Sequence, residues 1–176
     1  MPTRSTDARG PKSLEMWYHL RPYDRSMAGL ITGWPVDAAE LDAWASLSGE
    51  AADASTLERW HADPDVHPHV LLSGSDVCGY GEVWEDAERR EAELARIIVD
   101  PARRGRGAGR ALTRLLAERA PALGYDEVWL RLLPENHAAL ACYVAAGMRR
   151  ADAALERSFN LGQQREYRWM RYEGGP

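Results

Sequence analysis

Lysine is nearly absent. Lys12 is the only one, so arginine carries almost all the positive charge of this 176-residue chain. Cysteine is scarce as well: Cys78 and Cys142 form no CxxC pair, and no His/Cys cluster has zinc-ligand spacing. The five histidines (His19, His61, His67, His69 and His137) make no metal pattern. Both cysteines read as reduced thiols in a cytosolic setting, and no metal is expected. No apolar run approaches the roughly 20 residues needed to cross a bilayer. The N-terminal MPTRSTDARGPKS lacks the apolar stretch of a signal peptide. Positive charge is not in excess either: the formal net charge of −5 disfavours wholesale binding to nucleic acid or to an anionic membrane surface.

What remains is the composition of a globular protein. Residues 1–13, polar and rich in Pro, Gly and Ser, are expected to be a disordered tail; residues 14–176 are expected to form one domain with one core. Residues 14–21 (LEMWYHLR), ending at Pro22, suggest a first strand. Segment 23–60 reads as helical, with Leu41, Trp44, Ala45 and Leu47, then Leu57 and Trp60, at helical spacing. Residues 68–85 read as a hairpin turning at Gly74-Ser75-Asp76, and Glu93–Val99 as a further strand. A helix starts in the glycine run after Pro101 and continues to about Ala120, with Ala111, Leu112, Leu115 and Leu116 on one face. Val128–Leu133 reads as a buried strand. Asn136 is placed to cap a helix to Ala146, and Gly147 to supply its C-terminal turn. Two weaker strands are expected around 153–160 and 165–172, with Gly162 between them. The order is that of an α+β domain with a mixed sheet.

The informative segment is 99–110, VDPARRGRGAGR. A P-loop would need GxxxxGK, and there is no such lysine. A dinucleotide fingerprint fails because position 110 is Arg where a third glycine is required. What stands is Arg104-x-x-Gly107-x-Gly109 between a strand and a helix start. Glycines admit positive φ and close approach of a ligand to the backbone. The first amides of a helix lack intrahelical partners and sit at the positive end of its dipole, so a diphosphate satisfies them. Arg104, Arg106 and Arg110 add charge, suited also to a ribose phosphate. An RNA-binding arm would show dispersed RGG repeats and aromatics; this is one compact run joined to an apolar strand and an amphipathic helix.

Val99-Asp100-Pro101 followed by Arg104-x-x-Gly107-x-Gly109 resembles the central motif of the GCN5-related N-acetyltransferase (GNAT) family, Q/R-x-x-G-x-G/A after V-x-P. The resemblance continues in Asn136, Tyr143 and Gly147-Met148, matching an Asn followed seven residues later by a Tyr in A-x-x-x-Y-x-x-x-G-F/M. It is strong over 93–148 and rests on element order before 70.

The resemblance implies a mixed, mostly antiparallel twisted sheet of six to seven strands flanked by about four helices, splayed between strands four and five. Acetyl-CoA lies in that splay as cosubstrate. Its pantetheine pairs with Ile97, Ile98 and Val99, its pyrophosphate sits on the amides of Gly105, Arg106, Gly107, Ala108, Gly109 and Arg110 with the Arg104 charge nearby, and Asn136 contacts the pantetheine or nearby backbone. The implied reaction is direct attack of a primary amine on the thioester, with an amide near Ile98 stabilising the oxyanion. Tyr143, one helical face from Asn136, is the proton donor to the departing thiolate. Glu93 matches the base of histone-type members; Glu82 and a water chain stand as alternatives. Ribosomal-protein-type members carry a Glu where this chain has Arg131, which points to an anionic group nearby. Trp34 and Trp44 are candidates to line the acceptor pocket. Cys142 reads as helix packing, having no His partner at a nucleophile's spacing. The acceptor is a small-molecule or peptide amine, with a mild preference for a cation from the acidic balance. Dimers are common in the family, so a homodimer is compatible. A catalytically silent CoA-binding module of the same fold is the alternative reading.

Overall fold

The computed structural model describes residues 17–47 and 51–174. The expected tail at 1–13 and the start of the first strand lie outside them. Seven strands form one sheet: β1 (Tyr18–Pro22), β2 (Val66–Ser73), β3 (Asp76–Asp86), β4 (Glu91–Val99), β5 (Glu127–Leu132), β6 (Met148–Arg150) and β7 (Arg168–Tyr172). Their order across the sheet is β1-β2-β3-β4-β5-β7-β6. Every neighbouring pair is antiparallel except β4 and β5.

Among the described residues six α-helices occur: α1 (Ala28–Ile31), α2 (Ala38–Ala45), α3 (Ala54–Trp60), α4 (Ala108–Arg119), α5 (His137–Ala145) and α6 (Ala153–Asn160). Side-chain caps start α2, α3, α5 and α6, whereas α1 begins after Met27 and α4 after Gly107 without one. Asp37 caps α2 through the Glu40 amide, and Asp53 forms a capping box with Thr56 at α3. Asn136 caps α5 by accepting the Ala139 amide at 3.1 Å.

One element differs in type from the sequence reading. Residues 153–160 are helix, where a strand was expected. Asp152 Oδ1 accepts the amides of Ala154 and Leu155, both at 2.9 Å. That cap, followed by the helix formers of AALER, outweighs the single aromatic Phe159. Phe159 instead packs edge-on between Trp129 and Trp169, with centroids 5.1 and 4.9 Å away. The strand of this region is the shorter β6.

Two cores flank the sheet. Helix α4 lays Ala111, Leu112, Leu116 and Ala117 on one face, against Leu94, Val128 and Leu130. On the other face Ile31, Trp34, Trp44 and Leu57 of the α1–α3 layer cover Val70, Tyr80 and Ile98. Strands β4 and β5 pair only from Glu91–Leu94 to Glu127–Leu130. Beyond that point Ala95–Val99 keep β3 as their neighbour and Arg131–Leu132 keep β7. The sheet therefore opens between its two parallel strands, with helices closing the layers on either side.

Candidate functional site

A cleft of about 790 Å³ occupies this opening. It has the size of a cofactor or substrate site. Ile97, Ile98 and Val99 line it along the free edge of β4. Gly105, Arg106, Gly107, Gly109 and Arg110 line it at the start of α4, and Asn136, Cys142 and Tyr143 line it from α5. The residues singled out in the sequence thus converge on one cavity.

The glycine turn has the conformation an anion cradle requires. Gly105 and Gly107 take φ of 70° and 86°, the left-handed region that favours glycine. The first bond of the α4 ladder runs from the Ala111 amide to the Gly107 carbonyl. The amides from Gly107 to Gly109 precede it and have no intrahelical acceptor. Gly109 has a second reason to be glycine, because a Cβ there would lie 2.9 Å from Cys142 Sγ. The two helices meet at that spot, and burial raises the Cys142 thiol pKa, in keeping with a packing role. Ala108 is buried in the core, so only its backbone is available to a ligand. Arg104 is committed elsewhere. Its guanidinium pairs with Glu40 of α2 at 2.8 Å and donates to the carbonyls of Val99 at 3.0 Å and Trp34 at 3.4 Å. It ties the α2 region to the end of β4, while its backbone keeps its place in the turn.

Midway along this edge β4 bulges. Tyr80 pairs with Ile98 and Glu82 with Ala95, so Gly81 alone faces Arg96 and Ile97. Arg96 takes φ of 47°, a strained value for a non-glycine residue. Three contacts hold it there. Trp44 Nε1 donates to its carbonyl at 2.8 Å. Its guanidinium lies 3.8 Å from the Trp60 ring centroid and 4.7 Å from that of Trp84. Its Nη1 donates to Glu82 Oε2 at 2.7 Å.

Glu82 is wholly buried and also accepts from the Tyr80 hydroxyl and from Trp84 Nε1 at 2.6 Å, with His61 Nε2 3.6 Å away. Burial pushes its pKa up, but His61, Arg96, Tyr80 and Trp84 together bring it below the ordinary carboxylate value. A carboxylate held ionised by this many donors, and absent from the cleft lining, is a poor proton acceptor. Its place is behind the bulge. The signal was legible in part: Glu82 and Arg96 each stand between apolar or small residues in the middle of their strands.

Glu93 lines the cleft at the point where β4 and β5 part. Burial pushes its carboxyl up to about 7, against the lowering effect of Arg131. Arg131 Nε lies 3.1 Å from Glu93 Oε1. The anionic group anticipated beside Arg131 is therefore Glu93 itself. Tyr143 packs against the α4 core and lines the cleft, and burial raises its hydroxyl well above the ordinary tyrosine value, so it stays protonated. Trp44 lines the cleft; Trp34 does not, being buried in the α1–α3 core.

One cross-cleft contact had no signal in the sequence. Arg165, between α6 and β7, pairs with Asp42 of α2 at 2.7 Å across 123 positions. Among the described residues no group of three or more His, Cys, Asp or Glu side chains could hold a metal. No helix among them is long and apolar enough to cross a membrane.

Comparison with known proteins agrees with this geometry. The model of the acetyltransferase (GNAT) family matches residues 33–148. A mycothiol acetyltransferase from Clavibacter michiganensis is 33% identical over 130 residues, covering 68% of this chain and 42% of that protein. The N-alpha-acetyltransferase RimI of Mycobacterium tuberculosis is 31% identical over 140 residues, covering 78% of this chain and 86% of that protein. The chain thus spans well under half of the first relative and most of the second. Among solved structures, spermidine N-acetyltransferase from Vibrio cholerae, in complex with CoA and spermine, superposes with a TM-score of 0.70 at 21% identity, over 89% of this chain and 95% of that one. An aminoglycoside acetyltransferase in complex with coenzyme A and kanamycin gives 0.69 at 17%, over 88% and 93%. These last two are likenesses of fold.

Proposed function

Since the chain belongs to the acetyltransferase (GNAT) family, we propose that it moves an acetyl group from acetyl-CoA to a primary amine by direct attack in a ternary complex, as a single catalytic domain. The observation that carries this is the cleft itself. One cavity joins a glycine turn at a helix N-terminus, an unpaired strand edge, a carboxyl with a pKa of about 7 and a protonated tyrosine.

In this reading the amides of residues 105–110 hold the pyrophosphate, with Arg106 and Arg110 supplying charge. Ile97–Val99 pair with the pantetheine along the free edge of β4, and Asn136 closes its other side. The bulge presents the amide near Ile98 to the thioester carbonyl, where oxyanion charge develops. Glu93 takes the proton of the attacking amine, directly or through one water. As the new C–N bond forms and the C–S bond breaks, Tyr143 gives its proton to the leaving thiolate. A pKa near 7 suits a base working at neutral pH, and a buried phenol remains in its donor form.

The test is release of free thiol from acetyl-CoA in the presence of an amine panel. Tyr143→Phe is expected to slow it about 10²-fold or more, with CoA binding retained. An unchanged rate would remove Tyr143 from the mechanism. Binding of CoA with no turnover on any amine would favour the silent-module alternative, which draws on the Glu93–Arg131 ion pair occupying the base.

A further inference from the structure

The acceptor half of the cleft is not acidic, in spite of the negative charge of the whole chain. Its walls carry Glu93 of β4, Arg131 of β5, Trp84 of β3, and Arg165 and Tyr167 from the segment between α6 and β7. Each carboxylate there has an arginine beside it: Glu93 has Arg131, and Asp42 has Arg165.

Arg131 is held as a fixed plane. Its guanidinium lies 5.1 Å from the Tyr167 ring centroid and 5.5 Å from that of Trp169. Nε faces Glu93, and Nη1 donates to Gln163 Oε1 at 3.3 Å. Nη2 makes neither of these contacts, and the side chain keeps 27% of its surface exposed. A guanidinium braced on rings with donors to spare is pre-organised for a planar anion.

We propose that the acceptor is an α-amino acid, whose carboxylate is bound by Arg131 while its amine faces Glu93. This rests on the acetyl-transfer reading above and names its substrate class. An α-amino acid bears amine and carboxylate on one carbon, and the touching Glu93–Arg131 pair offers a proton acceptor and a hydrogen-bond donor for an anion at matching proximity. An acceptor without the carboxylate leaves Arg131 donors unanswered in a half-buried wall. A polyamine brings a second ammonium towards Arg131 and Arg165, and that repulsion discriminates against it. Trp84 and Tyr167 provide apolar surface for the amino acid side chain.

The subsite can be read by binding, independently of turnover. Calorimetry on the full chain saturated with CoA would use N-acetyl-L-amino acids and their carboxamides as probes. At least one acid is expected to bind roughly ten- to a hundredfold more tightly than its amide, from charge-assisted hydrogen bonds. Arg131→Met should bring that ratio close to one, and Arg131→Lys should restore part of it, with CoA affinity in both variants reporting an intact fold. Equal binding of acid and amide, no binding of either, or a preference that survives Arg131→Met overturns the proposal. Thiol release measured in parallel separates the two readings. Turnover on amines with no carboxylate preference sinks the subsite alone. A carboxylate preference without turnover supports the subsite and sinks acetyl transfer.

Discussion

Arg131→Met should move the acid limb of the pH–rate profile upward. The wild-type limb is expected near pH 7, because burial pushes the Glu93 carboxyl to about that value while Arg131, 3.1 Å away, holds it down. An opposite charge at such range is worth roughly 1–3 pH units, so its loss should carry the inflection to about 8 or above. At pH 7 the ionised fraction of Glu93 then falls from about a half to about a tenth or less, a loss of roughly fivefold or more in kcat that recovers in alkali. The assay is thiol release at saturating acetyl-CoA with a carboxylate-free amine, which separates the base from acceptor-carboxylate binding. Glu93→Gln should abolish the limb and cost about 10²–10⁴-fold. The same raised pKa has a stability signature. A carboxyl whose folded pKa lies above its ordinary 4.5 stabilises the fold below that pH, and the contribution is lost as pH rises towards about 7. Denaturant stability should therefore decline across that window in the wild type and less in Glu93→Gln. An inflection that stays put or moves down in Arg131→Met would refute the assignment of Glu93 as base.

Three further changes probe the scaffold behind the cleft. Glu82→Gln leaves the Arg96 charge without its buried counterion and should cost about 3–5 kcal/mol by chemical denaturation; since the folded Glu82 pKa lies below its ordinary value, the wild type should also lose stability as pH falls through that lower value, and the variant should not. Trp44→Phe keeps an aromatic ring but removes part of the buried indole and with it the 2.8 Å bond to the Arg96 carbonyl; the loss should exceed the about 0.5–1.5 kcal/mol of the hydrogen bond alone, because the smaller ring also leaves a void, and kcat should drop more than the KM for acetyl-CoA changes, whereas an intact kcat would show that the bulge holds without it. Gly109→Ala drives a methyl into Cys142 Sγ, an overpacking cost of about 1–3 kcal/mol against a helix gain of up to about 1 kcal/mol; CoA affinity should fall, and adding Cys142→Ala should restore both affinity and melting temperature, the non-additivity reporting the contact.

Much of this fold was open to reading because its signals are local. Asp37, Asp53 and Asn136 announce helix starts by bonding amides within three residues. The 108–119 helix shows its buried stripe by spacing alone, and Gly105 and Gly107 mark the turn because few other residues adopt their φ. The failure at 153–160 was also local. Residues 153–160, A-A-L-E-R-S-F-N, have no period-two alternation to support a strand, and the Asp152 cap starts a helix there.

By itself the sequence supplied what is proposed as the donor half of the site: a strand, a glycine turn and a helix N-terminus from spacing, and Asn136 with Tyr143 from the resemblance to the family. Those relations span few residues, so short motifs express them. Only the tertiary structure decided the acceptor half. Glu93 and Arg131 were each noticed, but their 3.1 Å pairing depends on β4 and β5 lying parallel and then parting. The Glu82–Arg96 pair behind the bulge and the Asp42–Arg165 contact 123 residues apart arise the same way. Such contacts follow from which strands become neighbours. A carboxylate cannot be read as base, brace or partner until the sheet has chosen the charge beside it.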